Sequence, residues 1–175
     1  MSFTRRHRTL LAAALLAAVV TTSATAVNAS ADASAAPGTR TAPAHQSARE
    51  VANTKAAVAL LEGAFTRHDP RTYALRYIDA ETYIQHNPNF DNGRDAFIKG
   101  ITHFVEQYPE SSVTVKRTIA QGDLVVVQTL FRTDPADRGT AVADTFRFNQ
   151  RGKIVEHWDV LQPIAPTTAN GNPQI

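Results

Sequence analysis

The chain contains no cysteine, which removes both disulfide stapling and thiolate chemistry from consideration. Any folded domain within it must be held by its core alone. No apolar run is long enough to cross a bilayer: Leu10 to Val20 gives 11 uninterrupted residues, five of them alanine, against the ~20 that a membrane-spanning helix needs. A stable membrane anchor is therefore not expected. A phosphate-binding loop, a glycine-rich dinucleotide turn and a serine nucleophile elbow are all missing, as is any internal repeat. No basic stripe is interleaved with aromatic residues, so nucleic acid is not an expected partner.

What is present begins with an address. Residues 1–26 carry a cationic start, Arg5-Arg6-His7-Arg8, then the apolar run, then a small-residue exit at Ala24-Thr25-Ala26, the three parts of a secretory signal. Cleavage is expected there or after Val27-Asn28-Ala29, giving a secreted protein. Three of the 18 Lys and Arg and none of the 16 acids lie in this segment, so its removal takes the formal charge from +2 to −1. Residues 27–46, rich in Ala, Ser, Thr and Pro and without aromatics, read as a flexible leader. The 175 residues then leave room for one domain, over 47–162, with a disordered tail at 163–175 marked by Pro163, Pro166, Gly171 and Pro173.

Ser47-Ala48-Arg49-Glu50 has the form of a capping box. The helix it opens carries Val51, Val58, Leu61 and Phe65 on one face, flanked by Ala57 and Ala64, and Asp69-Pro70 ends it. A short second helix is predicted over Arg71 to Tyr77. A third follows the loop Asn89 to Gly93 and spans Arg94 to Tyr108, with Phe97, Ile101, Phe104 and Val105 on one side. From Ser111 the period changes to two, and four strands are predicted: one from Ser111, then Leu124 to Phe131, Ala141 to Asn149, and Ile154 to Gln162. Helices followed by hairpin-linked strands indicate an α+β domain with a mostly antiparallel sheet.

Ionisable residues inside two of these strands are the chemical signal. His157 and Asp159 are two apart and so leave the last strand on one face. Asp144 interrupts the apolar strand before it, where an acid needs a partner if buried. His86 supplies a second imidazole just before Asn87-Pro88, where proline keeps the preceding backbone extended. Tyr83 and Gln85 share a face if that segment is extended, leaving His86 on the other. Strict alternation places Trp158 opposite His157 and Asp159, together with Ile154, Glu156 and Val160. Both faces of the strand carry large apolar residues, so the pattern leaves open which one points inward. His68 and His103 read as surface or packing residues.

Three stretches, Tyr83-Ile84-Gln85-His86-Asn87-Pro88, Gly122 to Val127, and Asp144 to Phe148 running into Gly152 to Val160, resemble the SnoaL-like proteins of the nuclear transport factor 2-like superfamily. The resemblance covers about Val51 to Gln162. It implies a cone-shaped fold, about three N-terminal helices on a curved, mostly antiparallel sheet, and often a homodimer formed through the exposed sheet face. Among its members are polyketide cyclases that perform intramolecular aldol condensation without metal or organic cofactor, a pocket aspartate removing a proton next to a carbonyl. Superfamily members also include isomerases, dehydratases, epoxide hydrolases and non-catalytic binding modules, so fold alone does not give the activity.

The candidate catalytic residues are thus Asp159, Asp144, His157 and His86, and the candidate substrate contacts are Tyr83, Gln85, Phe146 and Trp158. An aspartate in an apolar cone has its charged form disfavoured, which makes it a stronger base. Plainer roles compete with each assignment: Asp159 paired with an arginine or capping an amide, Asp144 paired with His157 or His86, His86 anchoring a loop, Trp158 packing in the core or at a dimer interface. His86, His157, Asp144 and Asp159 are also possible ligands for zinc or non-haem iron, but their spacing is common by chance and no metal is expected. The expected ligand is a small, mostly apolar, carbonyl-bearing molecule.

Overall fold

The structure is a computed structural model that describes residues 46–175; the signal segment and residues 27–45 of the leader lie outside the described residues. Helix α1 spans Ala48–Leu61. Ser47 caps it reciprocally, its Oγ accepting from Glu50 N while its own amide donates to the Glu50 carboxylate at 2.8 Å. The chain continues as a π turn, Glu62–Thr66, which is the wider winding that often marks a functional site in a helix. Helix α2 covers Pro70–Tyr77 behind an Asp69 cap, and α3 covers Arg94–Gln107. A two-residue strand, β1, Ile84–Gln85, lies between α2 and α3.

Four longer strands follow: β2 Ser112–Gln121, β3 Leu124–Arg132, β4 Thr140–Phe148 and β5 Ile154–Pro163. They form one open sheet in the order β1-β5-β4-β3-β2, antiparallel throughout except for the β1–β5 pair. This is the α+β arrangement that the change of period at Ser111 predicts. Leu60, Ile78, Val125, Val127, Phe146, Phe148 and Ile154 are all buried to 2% exposure or less, each contributing about 1.5–3 kcal/mol of burial. The apolar face of α1 matches the predicted one at Ala57, Leu61 and Ala64 and departs from it at Val51 and Leu60. Ala57, Leu60, Leu61 and Ala64 face the core, while Val51 is exposed; small alanines let the helix approach the sheet more closely than the larger Val51 would.

Residues 164–175 form no helix or strand, but they are tied back to the body and to one another. Ile164 N donates to Gly139 O at 2.9 Å and Ala165 N donates to Gln174 Oε1 at 2.6 Å.

One irregularity in β5 sets the direction of the residues that follow it. Arg147 pairs with Glu156, but Phe148 pairs with Ile154, so Val155 is an extra residue, a β-bulge. Without it Ile154 and His157 would lie on opposite faces. With it, Ile154 (0% exposed) and His157 (7%) both point toward the helices, and Glu156, Trp158 and Val160 point away. The strict alternation assumed along this strand therefore fails at Val155.

Asp79, in the turn after α2, ties this end of the sheet together. Its carboxylate accepts from the amides of Glu81 and Thr82, from Asn149 Nδ2 at 2.9 Å and from Arg151 Nη2 at 2.8 Å. Burial alone would raise its pKa; the two amides and the Arg151 guanidinium outweigh that and hold it below the usual carboxylate range. Its contribution to stability is therefore present above about pH 4 and lost as the pH falls through its depressed value. Asp79→Asn should lower stability by about 2–3 kcal/mol at neutral pH, and the gap to the parent chain in denaturant melts should narrow on acidification. Gly63 gives a second test. A Cβ there would lie 2.1 Å from the Tyr73 ring, so Gly63→Ala should cost about 1–3 kcal/mol by overpacking, read as a lower thermal midpoint.

Candidate active site

The helices and the inner face of the sheet enclose a cavity of about 180 Å³. Its walls are strongly aromatic: Phe65 from the π turn, Phe90 from the loop before α3, Phe97 and Phe104 from α3, Phe131 from β3 and Phe146 from β4 all line it. Leu60, Leu61, Ile101 and Val142 fill the gaps, and no lysine or arginine is among the lining residues. Five polar groups converge on it from the edge formed by β1, β5 and β4: Gln85, Asn87, Asp144, His157 and Asp159. Thr129 adds a hydroxyl from β3.

The register explains the convergence. Asp144 pairs directly with Asp159 across β4 and β5, and Phe146 with His157, so all four side chains rise from the same face. Gln85 is the β1 partner of His157. The His157 ring stacks on Phe146 at 4.8 Å. Its Nδ1 lies 2.9 Å from Gln85 Oε1 and its Nε2 lies 3.1 Å from Asp144 Oδ1. Asn87 Nδ2 donates to Asp159 Oδ2 at 2.6 Å.

These bonds assign the protons. The backbone amide of Asn87 donates to Gln85 Oε1 at 2.9 Å, so that atom is an acceptor, and His157 Nδ1 must carry the hydrogen it shares with it. In a neutral imidazole Nε2 is then a bare lone pair facing an Asp144 oxygen. Two acceptors at 3.1 Å need one proton between them. Burial raises the pKa of Asp144, the bond to His157 and the charge of that ring oppose the rise, and the charge of Asp159 adds to it. Stripping water from an ionised carboxylate costs several kcal/mol, more than the roughly 1.5–3 kcal/mol returned by one charge-assisted bond. The net direction is upward, so the Asp144 carboxyl keeps its proton to higher pH than an exposed aspartate does.

The structure brings three of the four expected titratable groups together and places the fourth elsewhere. His86 lies on the outer face of the sheet, stacked on Trp158 at 4.7 Å with its Nε2 2.9 Å from Glu156 Oε1. Trp158 is likewise outside, because the Val155 bulge turns it away from the helices. Gln85 and Phe146 line the cavity. Tyr83 stands behind Gln85: it is buried, its hydroxyl accepts from Gln85 Nε2 at 3.3 Å, and its ring packs edge-on against Phe97. Burial, with the charges of Asp144 and Asp159, pushes the Tyr83 phenol well above its ordinary range. Asn87 is the residue that sequence reasoning passed over. It lies two positions after Gln85 on an extended segment, and that spacing alone puts it on the same face.

Asp144, His157 and Asp159 each offer a ligand atom within 4.8 Å of the others. They are the side chains among the described residues that could hold a metal ion, with His157 oriented for it by its bond to Gln85.

The model of the SnoaL-like domain matches residues 57–157. No curated protein matches the chain. Among solved structures, a candidate SnoaL-like polyketide cyclase from Jannaschia sp. CCS1 is similar at 19% identity, covering 67% of this chain and 90% of that one, with a TM-score of 0.56. A candidate polyketide cyclase from Bacillus cereus is similar at 16% identity, covering 63% and 74%, with a TM-score of 0.54. A candidate isomerase of the SnoaL-like family from Agrobacterium tumefaciens is similar at 13% identity, covering 65% and 97%, with a TM-score of 0.53. At such identities the likeness speaks for the shared nuclear transport factor 2-like fold. The domain match spans more than half of the sequence, and this chain belongs to the SnoaL-like family.

Proposed function

We propose that this chain is an exported SnoaL-like protein that binds a small, uncharged, carbonyl-bearing apolar molecule and moves a proton beside its carbonyl, in an aldol-type cyclisation or an isomerisation without cofactor. The observation that carries this reading is the unequal setting of two facing carboxyls. Asp144 is buried against His157, which favours its protonated form, while Asp159 accepts from the Asn87 amide and keeps an oxygen for the cavity. Asp159 takes the carbon-bound proton. The proton shared by Asp144 and His157 steadies the oxygen on which enolate charge develops, as carboxyl pairs of split pKa divide acid and base roles elsewhere. The aromatic walls and the lack of a cationic side chain among the lining residues favour neutral ligands over carboxylates and phosphates.

One observation favours a second reading. Each of the five polar side chains at the strand edge is already hydrogen-bonded to another group, as suits a binding module without turnover. Export and dimerisation through the outer sheet face remain part of the proposal, the first resting on the N-terminal segment and the second on the family.

Hydrogen–deuterium exchange next to the carbonyl of 2-tetralone, a two-ring ketone, followed by proton NMR, separates the two readings. Under the catalytic reading the parent chain accelerates exchange and Asp159→Asn loses at least about 100-fold of it, with ketone affinity within about threefold. Exchange at the buffer rate with unchanged binding would leave the binding module. The elevated Asp144 pKa makes a prediction that needs no ligand. A carboxyl whose folded pKa is raised is fully accommodated below its unfolded value near pH 3.9 and costs stability as the pH rises through the folded one. Asp144→Asn should therefore gain stability relative to the parent chain as the pH is raised from about 4 to 8, measured by denaturant melts.

A further inference from the structure

The residues that this reading uses on one side of the sheet are carried by a segment fastened on the other. β1 is two residues long and sits at the sheet edge, with a single neighbour, β5. Residues 85–87 contact β5 alternately from within and without. Gln85 meets His157 and Asn87 meets Asp159 in the cavity, while His86 between them meets Glu156 and Trp158 outside. The His86 amide also donates to His157 O at 3.0 Å. An edge strand this short has few backbone bonds to define its position, so side-chain fastening carries a larger share.

The outer fastening is well built. The His86 and Trp158 rings are parallel to within 5° at 4.7 Å. Glu156 bridges the strap to the sheet, one oxygen on His86 Nε2 and the other accepting from Arg147 Nε at 2.8 Å. Arg147 is held in turn by Asp123 at 3.1 Å and lies over the Trp158 ring at 5.6 Å. The bond from His86, and after it those from Arg147, keep the Glu156 carboxyl below its usual range, so the acid of this cluster stays ionised.

We propose that His86 is a positioning residue: from the outer face, through Trp158 and Glu156, it sets the place of the strap that delivers Gln85 to His157 and Asn87 to Asp159. The inference rests on the acid–base reading for its kinetic consequence, but its structural consequence can be read without it. Loss of the His86 ring frees the strap, Gln85 drifts from His157 Nδ1, and the imidazole no longer has its hydrogen fixed on that nitrogen. Asp159 loses the amide that aims it. Ligand binding in the aromatic walls is left nearly untouched.

The test compares His86→Ala, Trp158→Leu, the double variant and His86→Phe with the parent chain, by ¹⁵N NMR of the His157 ring and by 2-tetralone exchange. His86→Ala should draw the two His157 nitrogen shifts together and slow exchange about tenfold with ketone affinity within about twofold, since small misplacements of catalytic groups act on rate. Trp158→Leu should do the same, and the double variant should be no worse than either single one, the non-additivity of parts of one device. His86→Phe, which keeps the stack, should recover a large part of both signals. Unchanged His157 nitrogen shifts in both His86→Ala and Trp158→Leu would overturn the proposal, as would strictly additive effects. A parent chain with no exchange activity would sink the acid–base reading instead, while the nitrogen shifts still decide on the strap.

Discussion

The direction of two side chains on β5 depends on a single inserted residue. Because Val155 has no partner on β4, the strand can bury Ile154 in the core and, three residues later, bury His157 on the same side. A regular strand would have to choose between them. Had it kept Ile154 inside, His157 and Asp159 would face outward and Trp158 would enter the cavity. The bulge lets the hairpin contribute both to the core and to the site, a use of bulges that recurs beside functional centres.

Once those side chains face inward, hydrogen bonds link them one to the next. The Asn87 amide fixes Gln85, Gln85 fixes the hydrogen on His157 Nδ1, and His157 Nε2 lies against Asp144. Asp159, directly across from Asp144, is held by the Asn87 side-chain amide. Each step is local, yet the result is two identical residue types in different surroundings less than 5 Å apart. That asymmetry is what the proposed acid–base chemistry beside a carbonyl would draw on.

Much of this was legible in the sequence. The capping box at Ser47, the change of period at Ser111 and the pairing of His157 with Asp159 on one face needed only local rules, and the motifs around Tyr83, Asp144 and His157 carried the family. The rest was hidden for physical reasons. Strict alternation cannot detect a bulge, because a residue with no partner is defined by the neighbouring strand and not by its own, so the inward face of β5 stayed open. His86 looked like a site residue because it adjoins Gln85 and Asn87, but adjacency on a strand means opposite faces, and its ring serves Trp158 and Glu156 outside. On α1 the predicted face holds from Ala57 onward and fails only at its start, where Val51 lies beyond the reach of the sheet and is exposed, while Leu60 takes a core position.

The proposed division of roles depends on Asp144 keeping its proton to higher pH than an exposed aspartate does. Carbon-13 NMR of the aspartate carboxyls, titrated in the full chain, measures it directly. The Asp144 carboxyl should keep the shift of a protonated acid after the chain's exposed carboxyls have ionised. An Asp144 carboxyl that ionises together with the exposed aspartates would contradict the assignment of the proton and, with it, the division of roles within the cavity.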